Sequence, residues 1–467
     1  MSAGPVGVVG AGYVGLTTAA CLSHLGHSVR CVDSDVTRVE RLRQGVVDIL
    51  EPRLVELVHA GLRGGTVCFD TELGALTSCG VVVLCLPTPS GRDGAPDLAS
   101  VTSVSRRIAR VIAGPVVLAV KSTVPPGSAR TLQDSLGRGR IDVVSNPEFL
   151  REGRSVADFL RPERIVVGGA DSAAVDAVTS LYRSVPAPIF RTDWASAELA
   201  KYACNSFLAV KASYTNELAD LCSAVGADVT EVTAVMAADP RIGGAFLAPG
   251  PGWGGSCLPK DTCGMLDAGR RAGVVLDTVR AAVQSNARHR RRLVADIVRE
   301  LTGEPAASLA GYRIGVLGLT FKAGTGDVRE SPALAVVHEL CVRGAVVTAY
   351  DPACGSGRAS AVDAEGEFQV VDEPAAAVKS ASAVVVLTEW LEFRTVDWRA
   401  AAREVQRPLV IDARNLLDPA ALEACGFSYR GIGRPWALGR LTIRRCGAPG
   451  ARRSSAGSCP RPYRLPG

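Results

Sequence analysis

The chain has 467 residues, a length that exceeds one ordinary hydrophobic core and predicts two or three domains. No apolar run reaches the roughly 18 residues of a membrane span, no signal peptide is expected, and the 14 cysteines form neither a C-x-x-C pair nor a zinc-type cluster. The net charge is +5, but eight arginines and no acids lie from position 434 onward, so removing those eight charges from +5 leaves −3 for the first 433 residues. These features predict a cytoplasmic protein with reduced thiols and no metal, and they do not favour a nucleic-acid or membrane partner.

Lysine is rare in this chain, accounting for six of the 52 basic residues. Four of the six, Lys121, Lys201, Lys260 and Lys322, fall within segments that look like motifs. Because a guanidinium fork cannot replace a compact, titratable ammonium, we expect chemistry at these four positions. Chance clustering in so small a set is the alternative.

The first element is a nucleotide-binding motif. The apolar run 6–10 leads into Gly-x-Gly-x-x-Gly at Gly10, Gly12 and Gly15, a helix follows, and the next strand ends on Asp33. This order is typical of dinucleotide-binding folds, in which the pyrophosphate lies against the helix N-terminus. Asp33 should bond the ribose hydroxyls and repel a 2′-phosphate, which favours NAD over NADP.

Further strands of a parallel sheet are predicted at 81–87, 116–120, 141–144 and 164–169. Polar or turn-forming residues follow the first three. Since ligands of open α/β sheets bind beyond the carboxyl ends of the strands, Thr123 and Glu148 point toward the cofactor crevice. A turn-stabilising hydroxyl and a solvated acid are the alternatives.

One long helix is predicted from 194 to 225, closed by Gly226. Lys201 and Asn205 are four residues apart and therefore share a face of it. Its broad apolar surface predicts a bridge between domains and a dimer contact, with burial inside one subunit as the alternative.

The segment GGSCLPKD, 254–261, places Cys257 at the start of another helix, after which helical sequence resumes to about 302. A helix N-terminus and a nearby ammonium lower the pKa of a thiol, and Gly254 and Gly255 should let another molecule approach the backbone. The pattern predicts a nucleophilic Cys257. A small buried core cysteine is the alternative.

A second α/β unit begins at 312–322, where the strand is predicted to end in Gly315 and Gly318. More strands are expected at 346–350, 383–390 and 408–415. Arg329 and Arg414, near strand ends, suit a pyrophosphate or a uronate, whereas simple solvated arginines are the alternative.

Together these elements predict an α/β protein with two Rossmann-like doubly wound domains joined by a long central helix and a helical dimerisation region. We expect an NAD-binding domain at 1–193, a central helical domain with the cysteine loop at 194–302, a domain at 303–434 that could seat a second nucleotide, and a basic, disordered tail at 435–467.

The ordered motifs resemble those of the UDP-glucose/GDP-mannose dehydrogenase family over residues 6 to about 434. They are GAGYVG (10–15), STVPPG (122–127), NPEFLREG (146–153), ELAKYACNSFLAVK (198–211), DPRIG (239–243), GWGGSCLPKD (252–261), GLTFKAGTGDVRESP (318–332) and DARN (412–415). The resemblance implies two successive NAD-dependent oxidations of UDP-glucose to UDP-glucuronate through a cysteine-linked thiohemiacetal and thioester. It also implies that the domain at 303–434 binds the UDP-sugar.

The resemblance also implies roles for individual residues. Cys257 resembles the nucleophile, and Lys201 and Asn205 resemble the pair that stabilises developing oxyanions. Asp261 and Thr123 resemble the pair that positions water, and Asp261 is also the candidate base for the alcohol proton. Glu148 resembles the acidic residue that assists thioester hydrolysis. Catalytic positions are matched at Cys257, Lys201, Asn205, Asp261, Thr123 and Glu148.

The remaining matches are contact positions. Cofactor contacts are expected at Gly10, Gly12, Tyr13, Val14, Gly15, Asp33, Arg38, Pro87, Thr88, Thr123, Glu152, Lys260 and Arg329. Substrate contacts are expected at Glu148, Phe149, Leu150, Lys201, Asn205, Arg241, Phe246, Gly254, Cys257, Phe321, Lys322 and Arg414, with Arg241 reaching into a neighbouring subunit of a homodimer or larger homo-oligomer.

Three other functions remain open at this point. The same chemistry could act on another nucleotide sugar, such as GDP-mannose or a UDP-N-acetylhexosamine. The chain could be an alcohol dehydrogenase that transfers a single hydride, or a regulatory protein that binds NAD without turnover.

Overall fold

The computed structural model describes residues 4–91, 94–137, 139–355 and 367–435. The predicted disordered tail spans 435–467, and its residues from 436 onward lie outside this described part. Among the described residues, no helix combines the length and the apolarity needed to cross a membrane.

The amino-terminal part of the described chain forms a sheet of eight strands, ordered β3-β2-β1-β4-β5-β6-β7-β8. Its strands are Val6–Val9 (β1), Val29–Val32 (β2), Val67–Asp70 (β3), Val81–Leu84 (β4), Val116–Val120 (β5), Ile141–Ser145 (β6), Ile165–Gly168 (β7) and Ile189–Thr192 (β8). Seven helices connect them: Tyr13–His24 (α1), Val36–Arg43 (α2), Leu54–Arg63 (α3), Ala99–Val111 (α4), Ser128–Leu136 (α5), Ser155–Leu160 (α6) and Ser172–Ser180 (α7).

The predicted strands are confirmed, but the expectation of a wholly parallel sheet is wrong at one position. β7 pairs with β6 in the antiparallel sense, through Ser145 opposite Gly168. A continuous apolar run reports burial on both faces of a strand and carries no information on its direction, so the sequence could not distinguish this pair from the others.

The carboxyl-terminal part forms a six-stranded parallel sheet, ordered β11-β10-β9-β12-β13-β14. Its strands are Arg313–Leu317 (β9), Val346–Tyr350 (β10), Gln369–Val371 (β11), Ala383–Val386 (β12), Leu409–Asp412 (β13) and Ser428–Gly431 (β14). Gly315 lies inside β9, not at its end as predicted. A side chain has no room at this position, because a Cβ there would come within 2.4 Å of the Ala377 carbonyl oxygen. Gly318 follows the strand with a positive φ of 98°.

Between the sheets lie four helices, Trp194–Val225 (α8), Val229–Ala238 (α9), Leu258–Arg271 (α10) and Asp277–Thr302 (α11). The carboxyl-terminal sheet is flanked by Pro332–Val342 (α12), Pro374–Val378 (α13), Trp398–Glu404 (α14) and Pro419–Ala424 (α15). Short 3-10 turns occur at Leu73–Leu76 and Leu391–Thr395.

The long central helix α8 begins and ends where the sequence predicts. The Asp193 carboxylate accepts the Ser196 N–H at the first turn, and Gly226 ends the helix with a φ of 77°. Lys201 and Asn205 lie on its buried face, against α10. This face carries one half of the candidate site, and the carboxyl ends of β5 and β6 carry the other.

Candidate active site

The loop before α10 holds Cys257 at the helix N-cap, where its carbonyl oxygen accepts the Asp261 N–H at 2.9 Å. The predicted position at a helix start is therefore confirmed. The reason for the glycines differs from the expectation. A Cβ on Gly254 would come within 1.9 Å of the Glu330 carbonyl oxygen, and one on Gly255 within 2.7 Å of the Phe321 ring, so both residues let the chain's own carboxyl-terminal part approach.

The thiol of Cys257 does not have the lowered pKa that its position suggested. Burial raises the pKa, and the Glu148 carboxylate raises it further, while Lys201 and a contact with Ser256 act in the opposite sense. Lys260 is directed elsewhere, because its Nζ donates to Asp261 Oδ1 at 2.6 Å. The resting side chain is therefore a protonated thiol, and a thiolate requires removal of its proton during the reaction.

A buried ion pair faces this thiol. Lys201 Nζ donates to Glu148 Oε1 at 2.9 Å, and both side chains are buried. Burial alone would raise the pKa of Glu148. Lys201 and the Leu150 N–H, which donates to Oε2 at 2.6 Å, nevertheless hold this pKa below its ordinary value. Burial lowers the pKa of Lys201, but Glu148, Asp261 and Cys257 together raise it, so both partners are charged.

Asp261 is held from two sides. Asn205 Nδ2 donates to its Oδ2 at 2.5 Å, opposite the bond from Lys260. The structure brings Thr88 and Thr123 together, since the Thr88 hydroxyl donates to the Thr123 carbonyl at 2.9 Å. The resemblance implies that Thr123 and Asp261 position water together, but among the hydrogen bonds of the described residues none joins the two. Pro87 lies beside Thr88 in the segment after β4.

The glycine motif is built for close backbone approach. Gly10 has a φ of 96°, and a Cβ on Gly15 would come within 1.8 Å of the Gly10 carbonyl oxygen. Gly12, the N-cap of α1, has open space where its Cβ would be. These residues fit a dinucleotide, because the orphan N–H groups of α1, including those of Tyr13 and Val14, favour its pyrophosphate.

At the end of β2, Asp33 is positioned by three donors. Its carboxylate accepts the Ala11 N–H at 2.6 Å and the Asp35 N–H at 2.9 Å, and Arg38 Nη1 donates to it at 3.2 Å. The structure therefore groups Asp33 and Arg38 beside the glycine turn, at the position expected for the ribose of a dinucleotide.

Glu152 links the loop after β6 to the cysteine loop and to the carboxyl-terminal part of the chain. Its Oε1 accepts from the Ser256 hydroxyl at 3.1 Å and its Oε2 from the Thr325 hydroxyl at 3.0 Å, while its backbone carbonyl accepts from Lys322 Nζ at 2.6 Å. Burial, followed by the nearby Asp327 carboxylate, raises its pKa. The Arg329 guanidinium lies 3.6 Å from Oε1, so positions predicted to contact cofactor and substrate meet beside the cysteine loop.

Burial also lowers the pKa of Lys322, whose ammonium lies 5.5 Å from the Phe321 ring centre. Arg414 Nη2 donates to the Phe321 carbonyl at 3.1 Å and its Nε lies 3.1 Å from Glu389 Oε2. A Cβ on Gly250 would come within 2.8 Å of Arg414 Nη1, so this arginine reaches the loop that leads to the cysteine.

The other expected substrate positions are less uniform. Phe149 stacks against Arg164, whose guanidinium carbon is 3.9 Å from the ring centre, and lies 5.4 Å from Lys201 Nζ. Phe246 has a left-handed φ of 62°. Arg241 is not brought to the site of its own chain: its side chain is 87% exposed and pairs with Asp239.

Sequence reasoning missed two acidic residues that shape the site, Glu51 and Glu198. Tyr13 donates its hydroxyl to Glu51 and accepts the Gly153 N–H at 2.7 Å, which joins α1 to the loop after β6. Glu198 accepts the N–H groups of Gly127 and Ala129 at 2.6 and 2.7 Å. Glu198 could have been found, because it lies three residues before the lysine on the same face of α8, whereas no local signal marks Glu51.

A dinucleotide-binding fold beside a buried thiol, ammonium and carboxylate is typical of dehydrogenases that hold their substrate covalently. Models of the UDP-glucose/GDP-mannose dehydrogenase family match three segments: the NAD binding domain at 5–186, the central domain at 195–288 and the UDP binding domain at 315–419. The chain belongs to this family.

Similar proteins include the UDP-glucose 6-dehydrogenase of Rhizobium meliloti, 39% identical over 92% of this chain and 99% of its own, and that of Pseudomonas aeruginosa, 38% identical over 92% and 97%. Among solved structures, a UDP-glucose dehydrogenase from Pyrobaculum islandicum superposes with a TM-score of 0.83 at 33% identity, over 92% of this chain and 98% of that one. A UDP-D-ManNAc dehydrogenase from Pyrococcus horikoshii gives a TM-score of 0.81 at 28% identity, over 92% and 99%.

Proposed function

We propose that the chain oxidises UDP-glucose to UDP-glucuronate, with two molecules of NAD reduced per sugar and with Cys257 as the covalent nucleophile. The observation that carries the proposal is the convergence on one thiol of the buried Lys201–Glu148 pair and the Asn205–Asp261 pair. Relatives named UDP-glucose 6-dehydrogenase, 36–39% identical over more than nine-tenths of this chain, support the choice of substrate.

The groups that would hold NAD are those of the glycine turn and the Asp33 carboxylate, and bound NAD supplies the acceptor for both hydrides. Because the Asp33 carboxylate is already fixed by backbone donors, it suits the ribose hydroxyls of NAD and disfavours the extra phosphate of NADP. Arg329 and Glu152, which are also expected to contact the cofactor, lie 3.6 Å apart beside the cysteine loop.

The chain's own residues divide the chemistry into proton transfers and charge stabilisation. Asp261 accepts the proton of the primary alcohol as the first hydride leaves, and an aldehyde results. Asp261 passes the alcohol proton to solvent through its hydrogen bond with Lys260, and it then accepts the proton of the Cys257 thiol, whose sulfur adds to the aldehyde carbon. Lys201 and Asn205 donate to the oxyanion that forms, a contribution of roughly 10² to 10³ in rate for such donors.

Loss of the second hydride leaves a thioester on Cys257. Glu148, whose carboxylate is charged, accepts a proton from the water that attacks this thioester. The carbon–sulfur bond breaks, the uronate is released, and the sulfur regains a proton. Covalent capture also retains the reactive aldehyde within the site.

The stoichiometry of NADH per sugar tests the proposal. The expected value is two, whereas a simple alcohol dehydrogenase gives one and a regulatory protein gives none. Cys257→Ala should abolish acid formation yet bind NAD almost normally, and Cys263→Ala, on the same helix, is the matched control. A mass increase confined to a peptide containing Cys257 after rapid quenching would support the thioester, and full acid production by Cys257→Ala would refute it.

A substrate panel tests the choice of sugar. A relative of known structure acts on UDP-D-ManNAc by its name, so the panel includes UDP-N-acetylmannosamine and GDP-mannose beside UDP-glucose. We expect the highest kcat/KM with UDP-glucose.

We further propose a homodimer formed through α8. Phe207, Tyr214 and Leu221 recur every seven residues and are 63%, 52% and 57% exposed, which gives the helix an apolar stripe on one face. Such a stripe suits a second copy of the chain, into which Arg241 would extend. Phe207→Glu should convert the dimer to a monomer in light scattering, and an unchanged mass would contradict this interface.

The availability of NAD and nucleotide sugars supports a cytoplasmic location. The twelve cysteines in the described ranges all carry free thiols, as expected for a reducing compartment.

A further inference from the structure

Lys121 is a buried lysine to which the proposed reaction assigns no role. It follows β5 directly, and its side chain lies beneath the turn that carries Glu148. Its Nζ donates to the Tyr182 hydroxyl at 3.2 Å and to Asn146 Oδ1 at 3.5 Å. The ammonium also lies 5.7 and 5.6 Å from the ring centres of Phe159 and Tyr182.

The partners of this ammonium are all neutral. Among the ion pairs of the described residues, none includes Lys121, which is only 4% exposed. Placing an ammonium in such a position costs several kcal/mol unless its surroundings compensate, and an amide oxygen, a phenol and two ring faces compensate in part. An apolar residue would fill the same space more cheaply, so a purely structural role does not account for the charge.

The contacts of Lys121 lead to Glu148 through the backbone turn between them. Asn146, two residues before Glu148, receives the Tyr182 hydroxyl at 2.6 Å, donates from Nδ2 to the Val166 carbonyl at 2.9 Å, and donates its N–H to the Val120 carbonyl at 2.9 Å. Lys121, Tyr182 and Asn146 therefore form a polar cluster that holds the turn in place, and Lys121 is the cation of this cluster. Its positive charge also contributes to the lowered pKa of Glu148.

The titratable groups that face Glu148 come from four elements. Lys201 approaches from α8, Lys121 from the end of β5, Cys257 from the loop before α10 and Cys85 from the segment after β4. Two of these are cations. In the proposed reaction Lys201 turns its hydrogen bond to the substrate oxyanion, so its support of Glu148 weakens at that stage. Lys121 lies behind the turn and keeps its neutral partners throughout.

We infer that Lys121 is a positioning residue for Glu148: through Asn146 and Tyr182 it fastens the turn that presents this carboxylate, and it stays in place there while Lys201 serves the substrate. The inference rests on the proposed function, because it concerns the hydrolysis step. It gives a role to one of the four lysines that lie in motif-like segments, since a compact ammonium donates to Tyr182 and Asn146 from one point, whereas the donors of a guanidinium are fixed in a planar fork.

The test is the pH dependence of kcat for Lys121→Met, which keeps the length of the side chain and removes its charge. With one cation lost, the acidic limb of the profile should move upward by about one pH unit, so that kcat falls roughly tenfold at pH values below the limb and approaches the original value at high pH. The KM for NAD should not change. Quenched mass spectrometry at low pH should find the thioester on Cys257 accumulated. Lys379→Met, at an exposed position remote from the site, is the matched control and should leave the profile unchanged.

An unshifted acidic limb in Lys121→Met would overturn the inference, as would an equal loss of kcat at every pH. If that variant fails to fold, Tyr182→Phe removes only the hydroxyl that Lys121 and Asn146 share, and it should move the limb in the same direction by a smaller amount. No shift in Tyr182→Phe would then overturn the inference. An unmodified chain that yields no NADH from any nucleotide sugar would refute the proposed function and this inference together, whereas an active chain with an unaffected Lys121→Met refutes the inference alone.

Discussion

Substituting Lys201 by Met should unbalance the most buried ion pair of the site. In the native chain the ammonium lies 2.9 Å from Glu148, and both side chains are less than a tenth exposed. The variant leaves the carboxylate with the Leu150 N–H as its direct donor and Lys121 as a more remote cation. Because a buried charge without its partner loses its Coulombic compensation but keeps its desolvation cost, the substitution is expected to cost roughly 3–5 kcal/mol.

The cost depends on pH in a direction that the structure determines. In the native chain the pKa of Glu148 is lowered on folding, so its contribution is present above the pKa of the unfolded chain and is lost as pH falls through the folded value. In Lys201→Met burial dominates and raises this pKa above the unfolded value. The variant should therefore lose stability as pH rises, the reverse of the native behaviour at this group.

Hydrogen exchange of the α8 amides measures this effect, since it reports the free energy of local opening without assuming that the whole chain unfolds in one step. The double variant Lys201→Met with Glu148→Gln carries neither charge and should regain most of the lost stability. A loss below about 1 kcal/mol in the single variant would refute the reasoning, because a buried pair cannot be broken so cheaply. So would a double variant that is no more stable than the single one.

Three further predictions concern the cofactor half and the central helix. Gly12→Ala should fold normally, because its Cβ has free space within the chain, but this Cβ should weaken NAD binding measured by calorimetry. Gly15→Ala should instead lower the melting temperature, because its Cβ would meet the Gly10 carbonyl oxygen at 1.8 Å. Asp33→Ser should improve kcat/KM with NADP relative to NAD. The carboxylate that repels a 2′-phosphate is removed, and the Arg38 guanidinium that it binds can then face this phosphate. An unchanged preference for NAD would contradict the role of Asp33. Burial raises the pKa of Glu198 from 4.5 to about 7, so the folded chain binds the extra proton in that interval and stability should fall by ~3 kcal/mol as pH rises from 4.5 to 7. Glu198→Gln should remove this slope from urea titrations, and an identical slope in both proteins would show that other groups cause it.

Local sequence was sufficient for the elements and for the placement of several candidate site residues on them. The glycine turn that ends near Gly15, the acid at Asp33, both ends of α8 and the position of Cys257 at a helix start all follow from signals only a few residues long. Such signals are reliable because turns, caps and apolar runs are set by backbone sterics and nearby hydrogen bonds.

The chemistry of those residues was decided by tertiary structure. The pKa of Cys257 is raised, against the local expectation, because burial and a carboxylate 109 positions earlier outweigh the helix terminus. Likewise Gly254 is required by a carbonyl from the carboxyl-terminal part, and Lys201 meets its partner across 53 residues of chain. Desolvation and Coulomb interactions depend on which distant segments meet in space, and that arrangement exists only once the chain has folded.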